Sequence, residues 1–89
     1  MTDNDIQSAL KSILHRHFSI GDSPESIEDD FDFLASGTAL DSVEMLELAI
    51  AIEQRFRLTL TPEDVSVELF SSLPRLTRFI TSRIHENPV

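Results

Sequence analysis

The stretch Leu40-Asp41-Ser42-Val43-Glu44-Met45 constrains this chain more than any other. Asp41 is a strong helix N-cap, because its carboxylate accepts hydrogen bonds from the orphaned N–H groups of a first turn. Glu44 follows three residues later, where its side chain reaches back to the Asp41 N–H as in a capping box. Leu40 and Met45 occupy the two positions of a hydrophobic staple. A helix therefore begins at Ser42, with a small hydroxyl at its first position just after a loop. A phosphate ester is well tolerated there, since free N–H groups and the macrodipole both favour negative charge.

The rest of the chain narrows what such a helix start can serve. Its 89 residues are 40% hydrophobic, so one small core forms and roughly 60–65% of the unfolded surface is buried. A single domain over 1–89 is expected, ordered from about 3 to 85, with no room for a large enzymatic cleft. There is no cysteine, which excludes disulfide and thiolate–metal frameworks. The N-terminus is acidic and no long apolar run occurs, so neither a secretory signal nor a membrane span is expected, and the cytoplasm is the expected compartment. The formal net charge of −9 makes nucleic acid a poor partner and basic protein surfaces a good one. Asp22, Glu25, Glu28, Asp29, Asp30 and Asp32 crowd one segment, while Arg75, Arg78 and Arg83 gather near the C-terminus. An electrically polarised molecule follows.

A first helix is expected from about Asp3 to His17, with Ile6, Leu10, Ile13, Leu14 and Phe18 on one face. Asp3 and Asp5 suit its positive end; His15, Arg16 and His17 suit its negative end. His15 and His17 point about 200° apart on a helix and cannot share a metal. From Ser19 to Ala39 no period is sustained, and Gly21, Asp22, Ser23 and Pro24 are turn formers. A loop this long is normally pinned to the core, here by Ile20, Ile27, Phe31, Phe33 and Leu34. Asp29-Asp30-Phe31-Asp32 lacks the alternating acids, central glycine and terminal Glu of a calcium loop, so no metal site is expected. Gly37 supplies a sharp turn toward Ser42.

The second helix, Ser42 to about Phe56, carries two apolar stripes. Met45, Leu48, Ala49, Ile52 and Phe56 suit the core. Val43, Leu46 and Ile50 lie on another face, ringed by Glu44, Glu47 and Glu53. Either this helix is central and almost wholly buried, or the second stripe is a docking surface with an acidic rim. The acids favour docking, because burying them would be costly. Further on, Thr61-Pro62-Glu63-Asp64 is a helix start, with Thr61 as cap and Asp64 completing the box. A short third helix is expected from there to about Leu69, with Val65 and Leu69 inward. Ser71 or Ser72 then caps a fourth helix with Leu73, Leu76, Ile80 and Ile84 on its inner face, Phe79 flanking, and Asn87-Pro88-Val89 at its end. The fold class is all-α: four helices, a long first loop and a short third helix.

Phe33-Leu34, Gly37, Leu40-Asp41-Ser42, the helix from Glu44 to Phe56 and the late Leu73, Phe79 and Ile80 together resemble the acyl carrier protein / peptidyl carrier protein family over essentially the whole chain. The resemblance implies a four-helix bundle of the acyl-carrier type. It implies that a phosphopantetheinyl transferase attaches 4′-phosphopantetheine, taken from coenzyme A, to Ser42 beside Asp41. It implies that Val43, Glu44, Leu46, Glu47, Ile50 and Glu53 face partner enzymes. Those partners would be acyl- or aminoacyl-activating and transferring enzymes with basic docking surfaces, meeting a monomeric carrier that is not itself an enzyme. Val43 stands where the family usually has Leu or Met, and Thr38-Ala39-Leu40 lengthens the approach from Gly37. Ser42 has no His–carboxylate pair nearby in sequence to activate it, and a carrier needs none. Val43, Arg55 and Arg57 point to specialised lipid or secondary metabolism over housekeeping fatty acid synthesis. The other reading is a carrier-like module that binds partners unmodified.

Overall fold

Three α-helices form the described part of the chain: α1 (Asp3–Phe18), α2 (Ser42–Phe56) and α3 (Leu73–Glu86). The computed structural model describes residues 2–33, 35–37 and 40–86. The roles expected of Leu34, of Thr38 and Ala39, and of Asn87-Pro88-Val89 lie outside these residues.

Each helix begins on a side-chain cap. Thr2 and Asp5 form a reciprocal box on α1, with the Asp5 N–H donating to Thr2 Oγ1 at 3.1 Å and the Thr2 N–H to Asp5 Oδ2 at 3.2 Å. Of the two serines that could cap α3, Ser72 does so: its Oγ accepts from the Arg75 N–H at 3.3 Å. Ser71 Oγ instead donates to the Glu68 carbonyl at 2.8 Å. Both α1 and α2 end on a left-handed residue, Ser19 (φ 55°) and Arg57 (φ 56°). In each case the next N–H turns back into the helix, Ile20 to the Leu14 carbonyl and Leu58 to the Glu53 carbonyl. The Leu58 bond has the 6→1 span of a Schellman closure, whose left-handed position usually selects glycine, and the Ile20 bond spans one residue more. A side chain in this conformation costs about 1–2 kcal/mol.

The core lies where the three helices meet. Ile6, Leu10 and Leu14 of α1, Leu48 and Ile52 of α2, and Leu73, Leu76 and Ile80 of α3 are essentially inaccessible. These are the faces expected from the helical spacing, and Met45, Phe79 and Ile84 pack partly buried against them. Thr77 is buried too, its Oγ1 donating to the Leu73 carbonyl at 2.9 Å. That bond removes the cost of burying a hydroxyl.

The long first loop is pinned at several points. Ile20, Ile27 and Phe33 enter the core, and Phe31 meets Phe33 edge-on with centroids 5.1 Å apart. The Phe33 N–H donates to the Ser71 carbonyl at 3.0 Å and the Leu73 N–H to the Phe31 carbonyl at 2.8 Å. Asp32 and Ser72 thereby form an isolated antiparallel bridge. Lys11 pairs with Asp29, and Gln7 Nε2 donates to the Asp29 carbonyl at 3.2 Å. His15 Nδ1 lies 3.2 Å from the carbonyls of both Ile20 and Gly21. The histidine at the end of α1 therefore holds the loop's first turn. Gly21 has φ 76°, and a Cβ there would sit 2.8 Å from Ser26 Oγ.

The short third helix is not formed. Its place is taken by two 3₁₀ turns, Pro62–Asp64 and Leu69–Ser71. Val65 leaves the helical region, at φ −87° and ψ 87°. The stretch is far shorter than the roughly 12–15 residues at which a helix becomes self-supporting, and Val65, Ser66 and Val67 are weak helix formers. Packing does not compensate, since Val67 is 63% exposed. The domain is thus a three-helix version of the expected four-helix bundle.

The helix-start signal at Thr61 nevertheless has a use. Asp64 Oδ2 accepts from the Thr61 N–H at 2.8 Å. The Arg83 Nη2 donates to both oxygens of the same carboxylate, at 2.9 Å to Oδ1 and 2.8 Å to Oδ2. Arg83 Nη1 also reaches the Thr59 carbonyl at 3.2 Å, and its guanidinium lies 4.9 Å from the Phe79 ring centroid. Residues 59–64 are thereby tied to α3. Burial raises the Asp64 pKa, but bonds from the Thr61 N–H, the Arg83 guanidinium and the Thr61 hydroxyl outweigh it and hold the carboxyl below its ordinary 3.8. A carboxyl lowered in the folded state stabilises fully above its unfolded pKa, and that contribution is lost as pH falls through the folded one. Urea titrations of Asp64→Asn should therefore show a smaller loss of stability than the wild type as pH drops below about 4. Equal pH slopes in the two proteins would contradict the clamp.

Candidate functional site

At the start of α2 the expected capping box is present in full. The Glu44 N–H donates to Asp41 Oδ1 at 2.7 Å, and the Asp41 N–H donates to Glu44 Oε1 at 3.1 Å. The Met45 N–H continues the turn to the Asp41 carbonyl at 2.9 Å. Leu40 and Met45 both pack partly buried against the core, as a staple requires. Gly37, at φ 77° with open space around its Cα, makes the turn that leads the chain toward this cap.

The box leaves the first two donors of the helix unused. The N–H groups of Ser42 and Val43 have no acceptor among the described residues, and Ser42 Oγ makes no hydrogen bond there either. Ser42 is exposed. Its hydroxyl is thus accessible, unactivated by any neighbouring base, and set beside free donors at the positive end of a helix dipole. Such a hydroxyl is poorly equipped for nucleophilic catalysis of its own. A phosphate ester fits it, because the unused N–H groups and the dipole both stabilise negative charge.

The second stripe of α2 faces outward. Val43 is 65% exposed, Leu46 56% and Ile50 46%, whereas Leu48, Ala49, Ile52 and Phe56 are buried. Of the two readings open to the sequence, the wholly buried central helix is the one the structure does not adopt. The three carboxylates around the stripe are not equivalent. Glu44 is half-buried and engaged in the capping box. Glu53 is half-buried too, and its Oε2 accepts from the Leu60 N–H at 2.8 Å. Only Glu47 of the three is exposed with no side-chain hydrogen bond or ion pair among the described residues. Glu44 and Glu53 are therefore structural residues whatever else they do.

The acidic segment lies at the surface, with Asp22, Glu25, Glu28, Asp29, Asp30 and Asp32 all exposed. The basic cluster near the C-terminus is smaller than its sequence suggests. Arg83 is held by Asp64, leaving Arg75 and Arg78 exposed beside Leu69 and Phe79. Val67 is a further exposed apolar residue that sequence reasoning did not single out. Its one signal was its place between the inward Val65 and Leu69. A groove of about 380 Å³ between α1 and α2 is floored by Ala9, Ile13 and Ala51 and edged by Arg16, His17 and Arg55. Among the described residues no group of His, Asp or Glu side chains is arranged to hold a metal. No described helix is long and apolar enough to cross a membrane.

Removing the Asp41 side chain orphans the Glu44 N–H and breaks the box. Asp41→Ala should destabilise the protein by about 1 kcal/mol, lowering the melting temperature by roughly 4–8 °C for a domain of this size. Asp41→Asn, which keeps an acceptor, should lose much less. Thermal unfolding by circular dichroism checks both.

Comparison with known families places these features in a context. A family model described as the phosphopantetheine attachment site matches residues 4–80. A search of curated proteins returns no significant similarity.

Proposed function

Because the chain belongs to the phosphopantetheine attachment family over residues 4–80, we propose that Ser42 is its attachment residue and that the protein is a carrier domain passing acyl or aminoacyl thioesters between enzymes. Domains of this family are the site of covalent 4′-phosphopantetheine attachment and act as carriers rather than catalysts, working with a phosphopantetheinyl transferase and biosynthetic enzymes. The observation that supports the assignment to Ser42 is its exposed hydroxyl, without a hydrogen bond among the described residues, beside two N–H groups that have no acceptor among them at the start of α2. When bound, the prosthetic group supplies a thiol on which acyl groups ride as thioesters. This chain's residues hold the attachment point: Asp41 and Glu44 fix the first turn, while Ser42 and Val43 present donors to a phosphodiester.

The exposed stripe of Val43, Leu46 and Ile50, with Glu47 beside it, is the surface that partner enzymes read. Burying one such side chain against a partner contributes about 1.5–3 kcal/mol. The exposed carboxylate sets orientation and encounter rate more than affinity. Glu44 and Glu53 contribute to the same field, although each is also engaged in a hydrogen bond within the chain. The carrier works as a monomeric single domain over 1–89, in the cytoplasm. Val43, Arg55 and Arg57 favour a specialised lipid or secondary-metabolite pathway over housekeeping fatty acid synthesis.

Incubation with coenzyme A and a broad-specificity phosphopantetheinyl transferase should add one phosphopantetheine mass to the wild type and none to Ser42→Ala. An unmodified wild type with every transferase tried would instead leave a carrier-like module that binds partners without the group. In the modified protein, Leu46→Glu should keep the helical circular dichroism signal while acyl loading falls about tenfold or more, since a charge replaces an apolar contact at the centre of the stripe. Exclusive and efficient use by fatty acid synthase enzymes would count against the specialised pathway.

A further inference from the structure

Arg57 lies at the foot of the exposed face of α2. Positions 42, 46, 50 and 53 are spaced four, four and three apart, so they follow one row along the helix, and residue 57 comes four further on, just past the helix end. Residue 57 ends that row about 22 Å from Ser42 and about 15 Å from Glu47, at 1.5 Å per residue. Its side chain is exposed and makes no hydrogen bond or ion pair within the described chain. It also occupies the left-handed closing position of α2, at φ 56° and ψ 47°, where glycine would be the unstrained choice. The left-handed turn alone says nothing, because Ser19 adopts it at the end of α1. The signal is the combination: a long cation where glycine fits better, with no side-chain partner among the described residues, at the end of the row that begins at the proposed attachment site. Arg55 already places a positive charge in the last turn, so the helix dipole does not require Arg57.

We infer that the docking face is bipartite in charge: Glu47 meets a cation of the partner enzyme, and Arg57 meets a carboxylate about 15 Å further along α2. The partner is an acyl- or aminoacyl-activating or transferring enzyme whose contact surface carries an apolar patch between a basic and an acidic group. This inference rests on the carrier reading above and deepens it. A uniformly basic partner surface would be repelled by Arg57 at the end of the stripe, so the residue selects among enzymes that all recognise the apolar contact. Like-charge rejection of wrong partners is a general route to specificity. The intramolecular use of Glu44 and Glu53 sharpens the pattern. With both carboxylates already bonded, Glu47 and Arg57 are the two unpaired charges that this row and its margin offer a partner.

The test compares the wild type, Arg57→Gly and Arg57→Glu, each converted to the phosphopantetheine form and confirmed by intact mass. Acyl and aminoacyl loading is then measured over a panel of activating enzymes, and the enzyme with the highest kcat/KM on the wild type is the probe. Arg57→Gly should unfold a few degrees higher than the wild type, because glycine relieves the left-handed turn. It should nevertheless load about threefold to fivefold more slowly with that enzyme, the size of a lost peripheral charge contact. Arg57→Glu should load at least about tenfold more slowly, because it sets two carboxylates together, and the gap should narrow at high salt. A folded Arg57→Gly that loads at the wild-type rate, or an Arg57→Glu that loads faster, overturns the inference. Failure of the wild type to accept phosphopantetheine is a different result, read from the mass alone, and it removes the carrier reading on which the inference stands.

Discussion

Backbone pairing between the first loop and the start of α3 holds the molecule in register. The Leu73 N–H, otherwise an orphan donor at a helix N-terminus, is taken by the Phe31 carbonyl, and the Phe33 N–H reaches back to Ser71. These bonds place Phe33 in the core and Phe31 against it. They also set where the loop leaves the core on its way to Asp41. Without them a long connection of weak local preference would have many routes across the surface, each with a backbone entropy cost to fix. With them, acidic residues stay in water while the apolar ones between them are drawn inward. Lys11, Gln7 and His15 secure the outer part of the same loop from α1.

The functional end of the protein is built on that frame with little extra material. The capping box spends Asp41 and Glu44 on the helix itself and leaves the Ser42 hydroxyl with no hydrogen bond among the described residues. The proposed attachment of a group to Ser42 benefits from this economy, since a hydroxyl tied into the fold would have to be released before another enzyme could modify it. At the other end of α2, Glu53 holds the Leu60 N–H and Asp64 holds Arg83. The helix is therefore fixed at both ends by carboxylates that a charge map alone would assign to the surface. The exposed apolar strip between the ends, the face proposed for docking, sits on a helix held in this way. Rigidity of this kind lowers the ordering cost of association.

How legible these features were depends on the range of the interactions behind them. The boundaries of α2, its cap, its staple and its two stripes follow from residues within four positions of each other, so they could be read from spacing. The start at Thr61 was legible for the same reason, but the helix expected to follow it was not formed. A local start signal says nothing of whether Val65, Ser66 and Val67 will find packing to carry the turn onward. The cap of α3 was legible as a choice between Ser71 and Ser72, and only the pairing of Asp32 with Ser72 across the loop settled it.

The sequence by itself determined the all-helical class, the three apolar helix faces, a second apolar stripe on α2 and a serine at a capped helix start. All of these rest on helical periodicity and on hydrogen bonds between near neighbours. Tertiary structure decided which charges are free. Arg83 reads as part of a basic cluster until both oxygens of Asp64, nineteen residues earlier, take its Nη2 and the Thr59 carbonyl takes its Nη1. Glu53 reads as a docking acid until the chain turns back at Arg57 and brings the Leu60 N–H to it. Pairing of this kind depends on where distant segments are carried by the core, and spacing along a single helix holds no record of it.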